Sequence, residues 1–237
     1  MLRKLIIIII GVPLTGIGSI FAMLAIILDG SGTVADFMIR LWARIILMLA
    51  GAKVELRGIE NIEKNESYAF VSNHASLLDI PTAMTTLSYK LRFLAKKELF
   101  NIPLFGRAML AAGHIKIDRQ NLESAVKSIN EASIRLKENH SSVLIFAEGT
   151  RSLTGEVGKF KKGGFILAIR MGIPIVPITI SGSRKLWPKG GSIKSGKIII
   201  TIGKSISTDG YGKSNRNALV EATRDAVVNN LVAEDAL

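Results

Sequence analysis

From Leu5 to Leu28 the chain runs for 24 consecutive residues without a charge, opened by Arg3 and Lys4. About 20 apolar residues in a helix cross the hydrocarbon core of a bilayer, so this run is long enough to span one. A cleaved secretory signal has the same basic opening, but its apolar core is only about 7–15 residues and ends at small residues. Here the run ends at Leu28-Asp29-Gly30, a poor cleavage site. The other way to accommodate such a run is an unusually apolar buried helix.

A second apolar stretch follows from Phe37 to Ala50, interrupted by Arg40 and Arg44. The two arginines are four apart and share one helical face, from which they can snorkel toward phosphate headgroups. Two topologies fit: one spanning helix and one lying flat, or a hairpin in one leaflet linked near Asp29-Gly30-Ser31-Gly32. Pro13, Gly11, Gly16 and Gly18 favour a bent, shallow insertion. The basic start predicts a cytoplasmic N-terminus, and only the hairpin leaves the remainder cytoplasmic as well. The expectation is therefore a hydrophobic two-helix membrane-binding motif over residues 1–50, with residues 51–237 on the cytoplasmic side of the cell membrane.

Residues 51–237 read as one α/β domain with a largely parallel central sheet flanked by helices. Strand patterns lie at Val54–Arg57, Tyr68–Ser72, Leu91–Ala95, His114–Ile117, Ser142–Phe146, Ile175–Ile180 and Lys197–Ile202. Helical patterns lie at about Pro81–Ser88, Phe105–Ala111, Leu122–Glu138, Gly163–Met171 and Asn215–Leu231, and the alternation implies parallel strands with helices packed on them. In Leu122–Glu138 the residues Val126, Ile129, Ser133 and Leu136 trace an inward strip. A chain of 237 residues needs no covalent staples to hold a core, and with no cysteine it has neither disulfides nor a thiol nucleophile.

The net charge of +12 points to an anionic partner. Between Arg151 and Thr208 there are eleven basic residues against one acid, Glu156. With a mean hydropathy of +0.35, this excess suits anionic membrane lipids better than nucleic acid. The tract offers only Phe160, Phe165 and Trp187 as stacking platforms, so no nucleic acid partner is expected.

The segment Ser72-Asn73-His74-Ala75-Ser76-Leu77-Leu78-Asp79 runs from a strand end through a polar loop toward a helix, where α/β folds place ligand-binding groups. On one continuous helix His74 and Asp79 would point apart. They meet only if His74 lies in the loop and Asp79 near the helix start. The carboxylate can then hold one ring nitrogen while the other takes a proton from a hydroxyl. Ser76-x-x-Asp79 is also the spacing of a capping box. Ser72 or Ser76 as a covalent nucleophile is the weaker mechanism, because the Gly-x-Ser-x-Gly elbow is missing.

The chain resembles the membrane-bound glycerophospholipid acyltransferases. Their Asn-His followed by four residues and Asp is met by Asn73 to Asp79. The second block reads Gly113-His114-Ile115-Lys116-Ile117-Asp118-Arg119, with Lys116 where an aromatic is usual. The third reads Phe146-Ala147-Glu148-Gly149-Thr150-Arg151-Ser152, with Ala147 in place of proline, and the fourth is Ile173-Pro174-Ile175-Val176-Pro177-Ile178. The resemblance implies His74 as general base, Asp79 as its orienting acid, and Arg119, Glu148, Gly149 and Arg151 in the acceptor site, with Lys96 near the acceptor phosphate. It implies acyl transfer from an acyl-CoA or acyl carrier protein thioester to the sn-2 hydroxyl of 1-acyl-sn-glycerol 3-phosphate (lysophosphatidic acid). No metal or other cofactor is implied beyond that co-substrate.

Read from the residues alone, Arg119 and Arg151 offer planar donor forks for a phosphomonoester, although Arg119 can instead pair with Asp118. Glu148 can fix its loop by accepting backbone hydrogen bonds, and Gly149 permits close approach or positive φ. Phe160-Lys161-Lys162-Gly163-Gly164 is a phosphate cradle or a solvated charge cluster. The competing functions are acylation of glycerol 3-phosphate or another lysolipid, and non-catalytic binding of anionic lipid.

Overall fold

A computed structural model describes residues 2–29 and 33–233. Seven strands form one sheet in the order β1-β7-β6-β2-β5-β3-β4. They are β1 (Ala52–Arg57), β2 (Ala69–Ser72), β3 (Leu91–Lys96), β4 (Ile115–Ile117), β5 (Ser142–Phe146), β6 (Ile175–Ser181) and β7 (Gly196–Ile202). Every neighbouring pair is parallel except β6 with β7, so the sheet is mixed around a parallel centre.

The two-residue side-chain period divides the core into two layers. The row Phe70, Leu144 and Val176, aligned across β2, β5 and β6, packs into the cluster that includes Ala43 and Leu47 of α3 (Thr33–Ala50) and Ala83 of α4 (Asp79–Thr86). The next row, Ala69, Val143 and Ile175, faces the opposite cluster. That layer is formed by α6 (Leu122–Glu138), α7 (Gly163–Met171) and α9 (Arg216–Asn229). The short helices α5 (Phe105–Ala111) and α8 (Ser183–Leu186) complete the domain. In α6, Ile129, Ser133 and Leu136 face inward with Ala132, whereas Val126 is exposed, which shortens the expected strip by one turn. Helix α4 begins at Asp79 rather than Pro81, so Pro81 sits in the first turn, where its missing N–H breaks no helical bond.

The expectation of two N-terminal membrane helices is corrected to one. α1 (Leu2–Ile6), a π turn (Ile7–Gly11) and α2 (Val12–Asp29) run consecutively. Among the described residues only Arg3–Ile26 is long and apolar enough to cross a membrane. The wide turn lies just before Pro13, whose ring would otherwise crowd the carbonyl of Ile9. α3 carries Asp36, Arg40 and Arg44, and it buries Ala43, Ile46, Leu47 and Ala50 in the core of the sheet domain. Arg40 does not reach for lipid phosphate. Its guanidinium donates to the carbonyls of Met84 (3.0 Å), Leu87 and Tyr89 (2.7 Å), filling acceptors left at the C-terminal end of α4. Gly11 allows α3 to come close, since a Cβ there would lie 3.1 Å from Ile46 Cδ1. The expected link through Gly30, Ser31 and Gly32 lies outside the described residues.

β2 lies between β5 and β6, and the chain leaves it toward β3 on one side while the β5–β6 connection crosses back over it. Such a change of direction opens a crevice at the C-terminal ends of the central strands, where α/β sheets bind ligands.

Candidate active site

Ser72 at the end of β2 is paired with Phe146 at the end of β5 and with Ile178 of β6. Two residues beyond the first pair stand His74 and Glu148, so the sheet register alone brings them side by side. The His74 backbone N–H donates to Glu148 Oε1 (2.8 Å), and the Gly158 N–H donates to Oε2 (3.1 Å). The His74 carbonyl accepts from the Ser152 N–H at 2.7 Å. On the β6 side, Asn73 Nδ2 donates to the Ile180 carbonyl (3.0 Å) and Asn73 Oδ1 accepts from the Ile180 N–H (2.8 Å). The backbone at 73–74 is therefore clamped from both neighbouring strands.

His74 leaves the strand in the loop and Asp79 opens α4, the one arrangement in which residues five apart can face each other. His74 Nδ1 lies 2.7 Å from Asp79 Oδ2. The ring stacks on Phe146 with centroids 4.2 Å apart and planes 23° apart, which fixes its tilt. Its Nε2 makes no hydrogen bond among the described residues, and the side chain remains 13% exposed. Asp79 Oδ2 also accepts from the backbone N–H groups of Ala75 (2.7 Å) and Ser76 (2.8 Å). The capping contact and the histidine contact are thus made by one oxygen. The other, Oδ1, is buried with no hydrogen-bond partner among the described residues. Ser76 Oγ donates to the Trp187 carbonyl (2.8 Å) and accepts from the Leu78 N–H (3.2 Å), which commits it to holding the loop.

Burial pushes the Glu148 carboxyl above the usual carboxylate range, partly offset by the two N–H groups it accepts. Gly149 follows at φ +72°, the left-handed region that favours glycine. The Arg119 guanidinium donates to its carbonyl. Lys161 lies across it, with Cδ, Cε and Nζ 3.0–3.1 Å from where a Cβ would stand. Arg151, two residues on, makes no hydrogen bond or ion pair among the described residues. Of the expected site residues, His74, Asp79, Glu148, Gly149 and Arg119 are linked by contacts into one network, and Arg151 adjoins it. Lys96 stands at the end of β3 with its ammonium 3.2 Å from Glu98, and Lys97 pairs with Asp118 at 2.7 Å. Asp118 is thereby occupied, and Arg119 turns to Gly149 instead.

Lys161 belongs in this network, although the sequence presents it only as part of a basic loop. No local pattern marks Arg224 of α9. Its Nε and Nη2 donate to the carbonyls of Gly158 (3.0 Å) and Val157 (2.8 Å), anchoring the loop whose Gly158 N–H holds Glu148. His114, inside the second block, is buried against Phe93. It accepts from the Phe93 N–H at Nδ1 (3.1 Å), and burial beside Arg92 lowers its pKa to about 3. Among the described residues no cluster of three or more His, Asp or Glu could hold a metal ion. Chemically, the arrangement offers one aligned proton acceptor at His74 Nε2, with guanidinium and ammonium groups beside a glycine turn.

The acyltransferase family model matches residues 53–181, just over half of the chain and all of this network except Arg224, which holds the 157–158 loop from α9. A chloroplastic 1-acyl-sn-glycerol-3-phosphate acyltransferase of Brassica napus is 34% identical over 82% of this chain and 55% of its own length. A 1-acyl-sn-glycerol-3-phosphate acyltransferase of Pseudomonas aeruginosa is 33% identical over 74% of this chain and 69% of its own. The crystal structure of the 1-acyl-sn-glycerophosphate acyltransferase from Thermotoga maritima superposes with a TM-score of 0.70 at 26% identity, covering 96% of this chain and 97% of that one. The chain spans about half the length of the chloroplast relatives it matches. Fold, motif order and these similarities together identify the chain as a member of the glycerophospholipid acyltransferase family.

Proposed function

We propose that the protein transfers an acyl group from an acyl-CoA or acyl carrier protein thioester to the sn-2 hydroxyl of 1-acyl-sn-glycerol 3-phosphate, forming phosphatidic acid. The observation that carries this reading is the 2.7 Å contact between His74 Nδ1 and Asp79 Oδ2, with Nε2 left unbonded among the described residues. Nε2 takes the hydroxyl proton as the oxygen attacks the thioester carbonyl. Asp79 holds the tautomer and balances the imidazolium. A C–O bond forms, the C–S bond breaks, and the departing thiolate recovers the proton from His74.

Arg119 and Arg151 receive the acceptor phosphate beside Gly149, and Lys96 adds positive charge at the neighbouring strand end. Glu148 sets the position of the His74 backbone and of this turn. The apolar helix Arg3–Ile26 and the family support association with a membrane. In the fuller reading this is the cell membrane, with residues 51–237 as the acyltransferase domain on its cytoplasmic side and the basic tract against anionic lipids.

The test is a matrix of acyl-CoA and acyl carrier protein thioesters against lysophosphatidic acid, other lysolipids and glycerol 3-phosphate, with products identified by mass spectrometry. Phosphatidic acid formed from lysophosphatidic acid at the highest kcat/KM is the expected result. A different preferred acceptor would reassign the substrate, and vesicle binding with no thioester consumed would remove the enzyme reading.

A further inference from the structure

The proposed reaction brings together two phosphate-bearing substrates, and the structure carries two groups of cations on the two sides of the loop at residues 157–162. One group, Arg119, Arg151 and Lys161, surrounds or adjoins Gly149 and is taken up by the acceptor. The other lines a separate cleft of about 570 Å³ between that loop and α9, with Lys159, Lys162 and Arg224 beside Glu221 and an apolar wall of Phe160 and Val220; Arg224 is also 4.0 Å from Asp225. Lys159 and Lys162 are exposed, and their ammonium groups have no hydrogen bond or ion pair among the described residues. Lys162 is also the N-cap of α7 (Gly163–Met171), so the cleft wall includes the residue at the positive end of that helix dipole.

We propose that this cleft binds the phosphorylated nucleotide end of a coenzyme A thioester. The assignment rests on the acyl-transfer reading, because it supplies the donor's half of that site. Three observations favour a compact polyanion. The cleft is concave and falls within the size range of small-ligand sites, about 300–1,000 Å³. Its free cations outnumber its acid. It also lies one residue along the chain from Gly158, whose N–H contacts the carboxylate that holds His74. The flexible pantetheine arm can bridge that interval, delivering the thioester to His74 while the nucleotide stays on the far side of the loop. A docking face for an acidic carrier protein would need a broader surface, of order 1,000 Å² buried in total.

The experiment uses the full chain and the double variant Lys159→Ala/Lys162→Ala, which leaves Arg224 and its loop contacts in place. Adenosine 3′,5′-bisphosphate is titrated calorimetrically, and KM is measured for an acyl-CoA and for the same acyl group on pantetheine, which lacks the nucleotide. The expected result is bisphosphate binding weakened about tenfold and an acyl-CoA KM raised about tenfold, equivalent to roughly 1.4 kcal/mol. The KM for acyl-pantetheine and for lysophosphatidic acid should not move. Absent or unaltered bisphosphate binding overturns the assignment, as does an equal KM rise for acyl-pantetheine. A KM rise confined to acyl carrier protein thioesters would overturn it in favour of protein docking. If the unaltered protein transfers no acyl group from any donor, the acyl-transfer reading fails, and the bisphosphate titration still decides the cleft.

Discussion

Replacing Glu148 with Gln is nearly isosteric, yet the hydrogen-bond pattern gives the amide no workable orientation. Both carboxylate oxygens accept from backbone N–H groups, His74 on one side at 2.8 Å and Gly158 on the other at 3.1 Å. An amide NH₂ must therefore face one of these donors, and at 8% exposure the residue leaves little room for water to intervene. One hydrogen bond to a charged group is lost, worth about 1.5–3 kcal/mol, and relief of the buried charge returns part of it. The net expectation is about 1–2 kcal/mol of stability, or roughly 2–8 °C in Tm for a chain of this size. The kinetic effect is larger, because His74 is positioned through its own backbone N–H and a shift of about 1 Å in a reacting group can cost 10²-fold in rate. The assay is kcat for acyl transfer alongside a thermal melt of the same preparation. Rate and melting temperature both matching the unaltered protein would refute the claim that this carboxylate holds the loop. The pH dependence separates two consequences of burial. With its pKa raised in the folded state, Glu148 binds its proton more tightly there than when unfolded. Its contribution to stability is therefore full below the unfolded value and falls as pH rises through the folded one. Activity moves the other way, since protonation removes the charge from the acceptor that holds the His74 and Gly158 N–H groups, and E148Q should lose that acid-side dependence.

Gly149→Ala forces a side chain into left-handed backbone, at about 1–2 kcal/mol, and drives the Lys161 arm off the turn; steady-state kinetics should show a raised KM for the lysolipid, and an unchanged KM would contradict the placement. Arg40→Met removes the donor shared by the carbonyls of Met84, Leu87 and Tyr89 and should cost about 2–4 kcal/mol, seen as a lower Tm and faster proteolysis near α3. His114→Asn keeps an acceptor for the Phe93 N–H but cannot titrate. The folded pKa of His114 is depressed to about 3, so the native protein's stability should fall by up to about 1.4 kcal/mol per pH unit as pH drops below about 6.5, and urea unfolding of the variant should lack that slope.

The seven strands were legible because β-rich apolar runs bounded by loop residues are hard to satisfy otherwise, and each lies within two residues of its expected position. Strand direction was not. Both faces of β6 and most of β7 are buried, so their sequences carry no alternation to set one orientation against another, and the antiparallel β6–β7 pair emerges only in three dimensions. The second apolar helix misled for a related reason. A sheet face and a lipid surface reward the same residues: Ala43, Ile46 and Leu47 meet the domain while Phe37, Leu41 and Met48 stay exposed. Arg40, placed at lipid phosphates by its spacing from Arg44, finds the carbonyls that close α4. In the site, the spacing of His74 and Asp79 required a loop-to-helix junction, and the fold has one there. Arg224 was out of reach because its partners are backbone carbonyls of a distant loop, and Lys161 because its place across Gly149 depends on two loops meeting, which no local pattern encodes.

The most direct test of the account is the single-turnover rate of acyl transfer by His74→Ala at saturating donor and lysophosphatidic acid. The contacts of His74 with Glu148 and Ser152 are made by its backbone, so alanine leaves the clamp intact and removes only the ring. Proton transfer through His74 predicts a rate about 10²–10⁴-fold lower, with lysolipid binding and Tm close to those of the unaltered protein. Transfer within a few-fold of the unaltered rate would show that the hydroxyl proton leaves by another route.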